Sequence, residues 1–321
     1  MVSPKTKIKR PKKLVTLDEL LAESSGVTIR EYTGPLNSKF AKIKFEPVVR
    51  LMVPRTLPKT LNVDLRWHIE GLFSNDDSPR PNWSGYMDLM ASGDHLSNSD
   101  ITFVPIIDLN PSSYTCIYST LTYVTEQCQK LNIKTPSITF DQPLWLKATE
   151  IVIDKSFNVV VHLGGFHTLM SFMGSIGTMM DSSGLYSPME TIYGENTVKH
   201  ILTGKAISRA VRGHLLVKSA LYTKLLGMVF SDKTITEYST LSSEDFKIIQ
   251  DGTISDNSIV ETEVMKKFND CMQELRNYLS ENSRTAKLWI QFMDYVDLMR
   301  QSICAARSGD WNLSLDCFNS N

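Results

Sequence analysis

The sequence predicts an α/β protein in which a mixed sheet with covering helices is followed by a mostly helical C-terminal region. Two observations carry this. Between residues 101 and 180, β-branched runs alternate with segments of helical period, strand, helix, strand, helix, strand, helix. Beyond about residue 188 the apolar spacing is helical almost throughout. The expected organisation is a basic, loosely ordered arm over 1–60, an α/β core over 61–187 and a helical region over 188–321.

The elements follow from local chemistry. Residues 17–23 suit a short helix, and Pro35, Pro47, Pro54 and Pro58 punctuate the stretch that follows. The stretches "LNVDLRWHIEGLF" and "NWSGYMDLM" read as strands or short helices on either side of a turn-rich loop. "ITFVPIIDL" (101–109) reads as a strand that carries Asp108 at its end and is terminated by Asn110-Pro111. Ile117, Leu121, Val124, Cys128 and Leu131 then recur at spacings of four, three, four and three, one face of a helix. "NIKTPSITF" is a strand ending at Asp141, and Pro143 suits the first turn of the helix after it. "NVVVHLGGF" is a third strand, and "HTLMSFMGSIGTMM" a helix whose small residues allow close packing. From a cap at Asn196 or Thr197, one long amphipathic segment runs to about Leu226. Residues 231–258 are loop-like, 259–305 hold one or two helices, and "SGDW" at 308–311 is a stop.

Composition narrows the class. The chain has 321 residues, 42% hydrophobic and 21% charged, the balance of a globular protein. It has no apolar run of membrane-spanning length, and its first residues lack the apolar core of a secretory signal. Five widely spaced cysteines, with no CxxC pair, speak against a disulfide framework or a zinc ribbon and for a reducing, intracellular setting. The formal net charge is −1, so any nucleic-acid binding must come from local patches. One such run is Lys5, Lys7, Lys9, Arg10, Lys12 and Lys13, which suits a nuclear-localisation or phosphate-binding arm, or a solvated tail.

Functional groups of α/β sheets gather beyond the carboxyl ends of strands. Asp108 and Asp141 stand at two such ends, and two carboxylates there can hold Mg²⁺ or Mn²⁺ for phosphodiester chemistry. Helix capping is the competing role. In "HLGGFH" (His162, Gly164, Gly165, His167) the glycines permit a close backbone approach, and His167 can meet a phosphate or a metal, or simply pack. Lys205, Arg209 and Arg212, extended by Lys199 and Lys218, make a stripe that can track a phosphate backbone or face solvent. "LTGKAI" lacks the P-loop register, and "MGSIG" lacks that of a nucleophile elbow.

The blocks "VPIIDLNPSSYTCIYSTL", "ITFDQPLWLKA", "LGGFHTLMSFMGSIG" and "LTGKAISRAVRGHLL" resemble a large family of multicopy invertebrate proteins derived from mobile elements, over roughly residues 60–318. At the level of fold, the order of elements resembles the RNase H-like transposases of the Mutator type. That resemblance implies an RNase H-like sheet, DNA as substrate and a carboxylate-bound Mg²⁺ or Mn²⁺. Asp141 matches the second catalytic aspartate, and His167 falls in the His-containing segment. The sequence departs from the pattern twice. Asp108 directly precedes a helix, leaving Asp88 as the only carboxylate near the first-strand candidate. The family's "AERTGDW" reads "AARSGDW" here, so Ala306 replaces an acid, with Asp294, Asp297 and Asp310 nearby. The resulting expectation is a degenerate transposase or nuclease; the alternative is a non-catalytic relic that binds nucleic acid or protein.

Overall fold

The computed structural model describes residues 26–36, 66–68, 82, 103–231, 244–245, 263–309, 313–314 and 317, without the side chains of 230, 231 and 308. The basic arm 1–13, the short helix expected at 17–23, Asp88 and Asp310 lie outside these residues. Contacts divide the chain into two units, residues 1–42 with 99–168, and residues 43–98 with 169–321.

The first unit is a small α/β layer. Ser113 opens helix α1 (Tyr114–Lys130) by accepting a hydrogen bond from the Cys116 amide at 3.1 Å. Strand β1 (Ser137–Phe140), helix α2 (Gln142–Lys155) and strand β2 (Val160–Leu163) complete a β-α-β unit. The strands are parallel, with Ser137 opposite Val160 and Phe140 opposite Leu163. Ile138, Phe140 and Val161 share the sheet face that packs on Ile117, Leu121, Ala148 and Ile151 of the helices. The helical period seen from Ile117 therefore buries its first half, whereas Leu131 caps the helix end and is 70% exposed. An N-terminal segment closes this core. Val27, Ile29 and Tyr32 are buried, the Arg30 amide donates to Ser119 Oγ at 2.9 Å, and Tyr32 stacks on Tyr114 with ring centroids 5.6 Å apart. Burial and the neighbouring Asp154 push the Tyr32 phenol up to about 12.

The strand expected at 101–109 is not formed among the described residues. Residues 103–108 form no strand, with Phe103 93% and Val104 60% exposed. Pro105 supplies no amide to a ladder, and Asn110 turns the chain at once, its side chain accepting from the Ser112 amide at 3.0 Å. The α/β class holds in the broad sense of a two-stranded parallel sheet with helices. The larger mixed sheet is not seen among the described residues.

Helix α3 (Gly165–Met179) begins at the sheet, and the unit boundary falls in its first turn. The second unit is helical: the rest of α3, α4 (Tyr186–Glu190), α5 (Glu195–Leu202), α6 (Ile207–Ser231), α7 (Glu263–Asn282) and α8 (Arg284–Ser308). Its core joins Met173 and Ile176 to Val198, Ile201, Leu226, Phe268, Met272, Phe292 and Val296. The segment expected as one helix from residue 196 is two. It is capped at Gly194 and broken at Thr203-Gly204, where Gly204 takes φ +72°. The stop at 308–311 appears as Gly309, a left-handed cap at φ 65°.

The small residues of α3 pack backbone on backbone. A side chain at Gly177 would collide with the Leu202 carbonyl, one at Gly204 with the Met170 carbonyl, and one at Gly174 would sit 3.2 Å from the Thr203 carbonyl. These neighbours are main chain and cannot swing aside. Gly177→Ala should therefore lower stability by about 2–3 kcal/mol, the upper part of the overpacking range, in spite of alanine's better helix propensity. Thermal or urea unfolding of the full chain checks this; an unchanged or raised midpoint would contradict the packing.

Candidate nucleic-acid interface

Asp141 stands at the carboxyl end of β1, as expected, and is exposed. Its Oδ1 accepts a hydrogen bond from the Leu144 amide at 3.0 Å, and its carbonyl accepts from the Trp145 amide at 2.8 Å. It is the N-cap of α2, with Pro143 in the first turn where a missing amide costs nothing. One carboxylate oxygen is thus committed to the helix. Asp108 is exposed, in the unladdered segment before the Asn110 turn, so it is not at a strand end. Among the described residues no three His, Cys, Asp or Glu side chains converge to hold a metal ion.

Of the carboxylates considered as replacements for the acid at Ala306, the two that are described, Asp294 and Asp297, are engaged elsewhere. Asp294 pairs with Arg276. Asp297 pairs with Lys218 and, at 2.8 Å, with Arg300. Ala306 itself is on the exposed side of α8.

The glycine pair after β2 divides its work. Gly164 continues the ladder, its amide donating to the Phe140 carbonyl at 2.8 Å, and a side chain there would press on that same carbonyl at 3.2 Å. Gly165 opens α3 with free space around it. His167 is half-buried in the first turn of α3. Its amide donates to the Gly164 carbonyl at 2.9 Å, and its ring lies edge-on to Phe166 at 5.7 Å.

The basic stripe separates into three kinds of residue. Lys205, Arg209 and Arg212 are exposed on the turn before α6 and its first two turns, with no carboxylate partner among the described residues. Lys199 is exposed too, but Glu195 holds it at 2.6 Å one helical turn away. Lys218 is a correction: it is 1% exposed, its ammonium pairs with Asp297 and lies 5.1 Å from the Tyr222 ring centroid, and it cannot reach a nucleic acid. Helical geometry accounts for this. Nine residues at about 100° each carry Lys218 half a turn away from Arg209, onto the core side. Leu216 is the residue that continues the exposed stripe, at 43% exposure.

Two features reinforce the positive character of this face. From Asn196 to Ser231 the chain contains no Asp or Glu to offset Lys205, Arg209 and Arg212. The N-terminal end of α6, where the three free cations sit, is also the positive end of the helix dipole. The turn that carries Lys205 is fixed from below by the Gly204 approach to Met170 and from the side by the Ala206 amide, which donates to the His200 carbonyl at 3.2 Å.

Sequence inspection missed the buried polar set behind this face. Lys218, Asp297 and Arg300 link α6 to α8, and burial lowers the Arg300 guanidinium to about 9, which leaves it charged at neutral pH. His214, fully buried, stacks on Phe292 at 5.8 Å and bonds the Ala210 carbonyl through Nδ1 at 2.7 Å. Burial drives its pKa down, so it is neutral there.

A family described as "Domain of unknown function (DUF8702)" matches residues 82–321. The chain belongs to this family. The match takes in both strands, every helix from α1 to α8 and the cationic turn. No curated protein and no solved structure matches the chain. No described helix is long and apolar enough to cross a membrane.

Two outcomes separate the roles of these residues. Asp141→Ala should cost about 1 kcal/mol of stability as a lost N-cap, and Asp141→Asn only a few tenths, because asparagine caps equally well; unfolding midpoints of the two variants give the comparison. Lys218→Ala should cost about 3 kcal/mol, since it strips a partner from a carboxylate only 14% exposed, whereas Arg209→Ala should change stability by less than about 0.5 kcal/mol. Equal losses at the two positions would show that the stripe is structurally uniform.

Proposed function

We propose that this chain is a mobile-element-derived protein on a degenerate RNase H-like scaffold, and that it binds DNA through the phosphate backbone without cutting it. The observation that carries the reading is the trio Lys205, Arg209 and Arg212: exposed, free of carboxylate partners among the described residues and set on a clamped turn at a helix N-terminus. Phosphate recognition needs cations that are not already neutralised, held where successive phosphates can meet them. The basic run from Lys5 to Lys13 suits the same partner and a nuclear location.

The non-cutting part rests on the carboxylates. Asp141 spends an oxygen on its helix, Asp294 and Asp297 are held by Arg276, Lys218 and Arg300, and Ala306 stands where the resembling family carries an acid. A metal-dependent nuclease is the second reading. Its support is the exposure of Asp141 at a strand's carboxyl end, with one carboxylate oxygen not used in the cap. Mg²⁺ or Mn²⁺, bound there with Asp108, would activate water and stabilise the leaving oxygen.

Binding to labelled double-stranded DNA across a salt series tests both. Wild-type affinity should fall with salt with a log–log slope of at least about −2 to −3 in magnitude, the share of three phosphate contacts, steeper as the basic run adds its own, and Arg209→Ala/Arg212→Ala should flatten it by about 2 units. The loss should be uniform across DNA sequences. No binding at low salt would refute DNA recognition. Divalent-dependent cleavage that disappears in Asp141→Asn would establish the nuclease in its place.

A further inference from the structure

Helix α6 begins without a side-chain cap. The Ala206 carbonyl accepts the first helical bond, from the Ala210 amide at 2.8 Å, but alanine has no side-chain oxygen to satisfy the amides that follow. The amides of Ile207, Ser208 and Arg209 meet no acceptor among the described residues. Ser113, Asp141 and Ser283 supply that acceptor for α1, α2 and α8. The start of α6 is thus short of one, and an uncapped first turn opens at little cost.

Ser208 sits in that turn and is exposed. The hydroxyls of Ser175, Thr178 and Thr223 donate to the carbonyl four residues back, whereas that of Ser208 has no partner among the described residues. The three exposed cations surround it. Lys205 is three residues before it, Arg209 follows it and Arg212 stands one helical turn on. At about 100° per residue, Ser208 and Arg212 lie about 40° apart around α6. Helical side chains lean toward the N-terminus, which directs Arg212 back toward Ser208. A serine with a lysine three residues before it, in a stretch without acids, has the charge pattern that basophilic protein kinases select. The residues leading into it, 203–206, are turn rather than helix, as a kinase cleft requires of the chain it grips.

We propose that Ser208 is a phosphorylation site whose phosphate switches off DNA binding by the trio; the switch rests on the DNA-binding reading, the site does not. The step transfers the γ-phosphoryl group of a nucleoside triphosphate, by a serine/threonine kinase. The bond from Ser208 Oγ to phosphorus forms, the bond from that phosphorus to the β–γ bridging oxygen breaks, the nucleoside diphosphate leaves and the hydroxyl proton passes to the kinase's base. The phosphate carries a charge of about −1.5 to −2 at neutral pH and offers acceptor oxygens to the uncapped amides and to Lys205, Arg209 and Arg212. Cations neutralised in place are lost to DNA. The test treats the full chain with a purified basophilic serine/threonine kinase and Mg-ATP, maps the phosphate by mass spectrometry and repeats the salt series with duplex DNA. Ser208 should take up phosphate, and Ser208→Ala should lose that uptake while binding DNA as the wild type does. The phosphorylated chain should bind at least about tenfold more weakly, with the salt slope flattened by about 2 units. Ser208→Asp, with a single charge, should weaken binding by less. A folded chain whose Ser208 stays unmodified overturns the site, and a phosphorylated chain that binds as tightly as the wild type overturns the switch. Unmodified wild type that binds no DNA at low salt defeats the DNA-binding reading instead. The site then stands if Ser208 takes up phosphate and the filled helix end raises the melting point, and falls if it does not.

Discussion

The close approach of α3 to the α5–α6 turn is the constraint on which the second unit depends. Gly174, Gly177 and Gly204 bring main chain against main chain, with the carbonyls of Met170, Leu202 and Thr203 as the opposing surfaces. That contact ends α5, reverses the chain through a left-handed glycine and starts α6 at a fixed place. The positions of Lys205, Arg209 and Arg212 follow from it. Cations on a loose loop would also attract phosphate, but they would lose more side-chain and backbone freedom on binding.

Behind the exposed trio, the same helix buries its opposite charge. Lys218 lies half a turn from Arg209 and ties α6 to α8 through Asp297, which Arg300 also holds. One helix therefore carries cations in two settings, exposed to solvent on one side and linking helix to helix on the other. A charge tally along α6 hides the distinction, and burial supplies it. The neutral His214, stacked on Phe292 of α8, adds a second polar element to that inner face without adding charge.

How much of this was legible beforehand varies with the range of the interaction. β1, α2, β2 and α3 were readable because local chemistry specifies them: β-branched runs, an aspartate cap with proline in the first turn, and a glycine pair at a turn. The close packing of the "GSIG" stretch was readable for the same reason. The segment 101–109 misled because β propensity measures fitness for a half-buried pleated surface, and residues 103–108 find no ladder. Asp108 fell with it. The single helix expected from 196 failed at Gly204, where tertiary contact with Met170 decides what propensity leaves open. Lys218 was the avoidable error, since its angular position on α6 follows from spacing alone. The Asp294–Arg276 and Asp297–Lys218 pairings were beyond reach, because they join different helices, whereas Asp297–Arg300 is an i,i+3 pair on α8.

The most direct test of the central claim is where the chain becomes protected when it holds DNA. Hydrogen exchange measured with and without a short duplex at low salt should slow most over residues 203–213, the clamped turn and the first two turns of α6, while α8 around Lys218's partner Asp297 changes little. Protection confined to the N-terminal basic run, with no change over 203–213, would contradict the account: the trio would then be a solvated face and the arm the only contact.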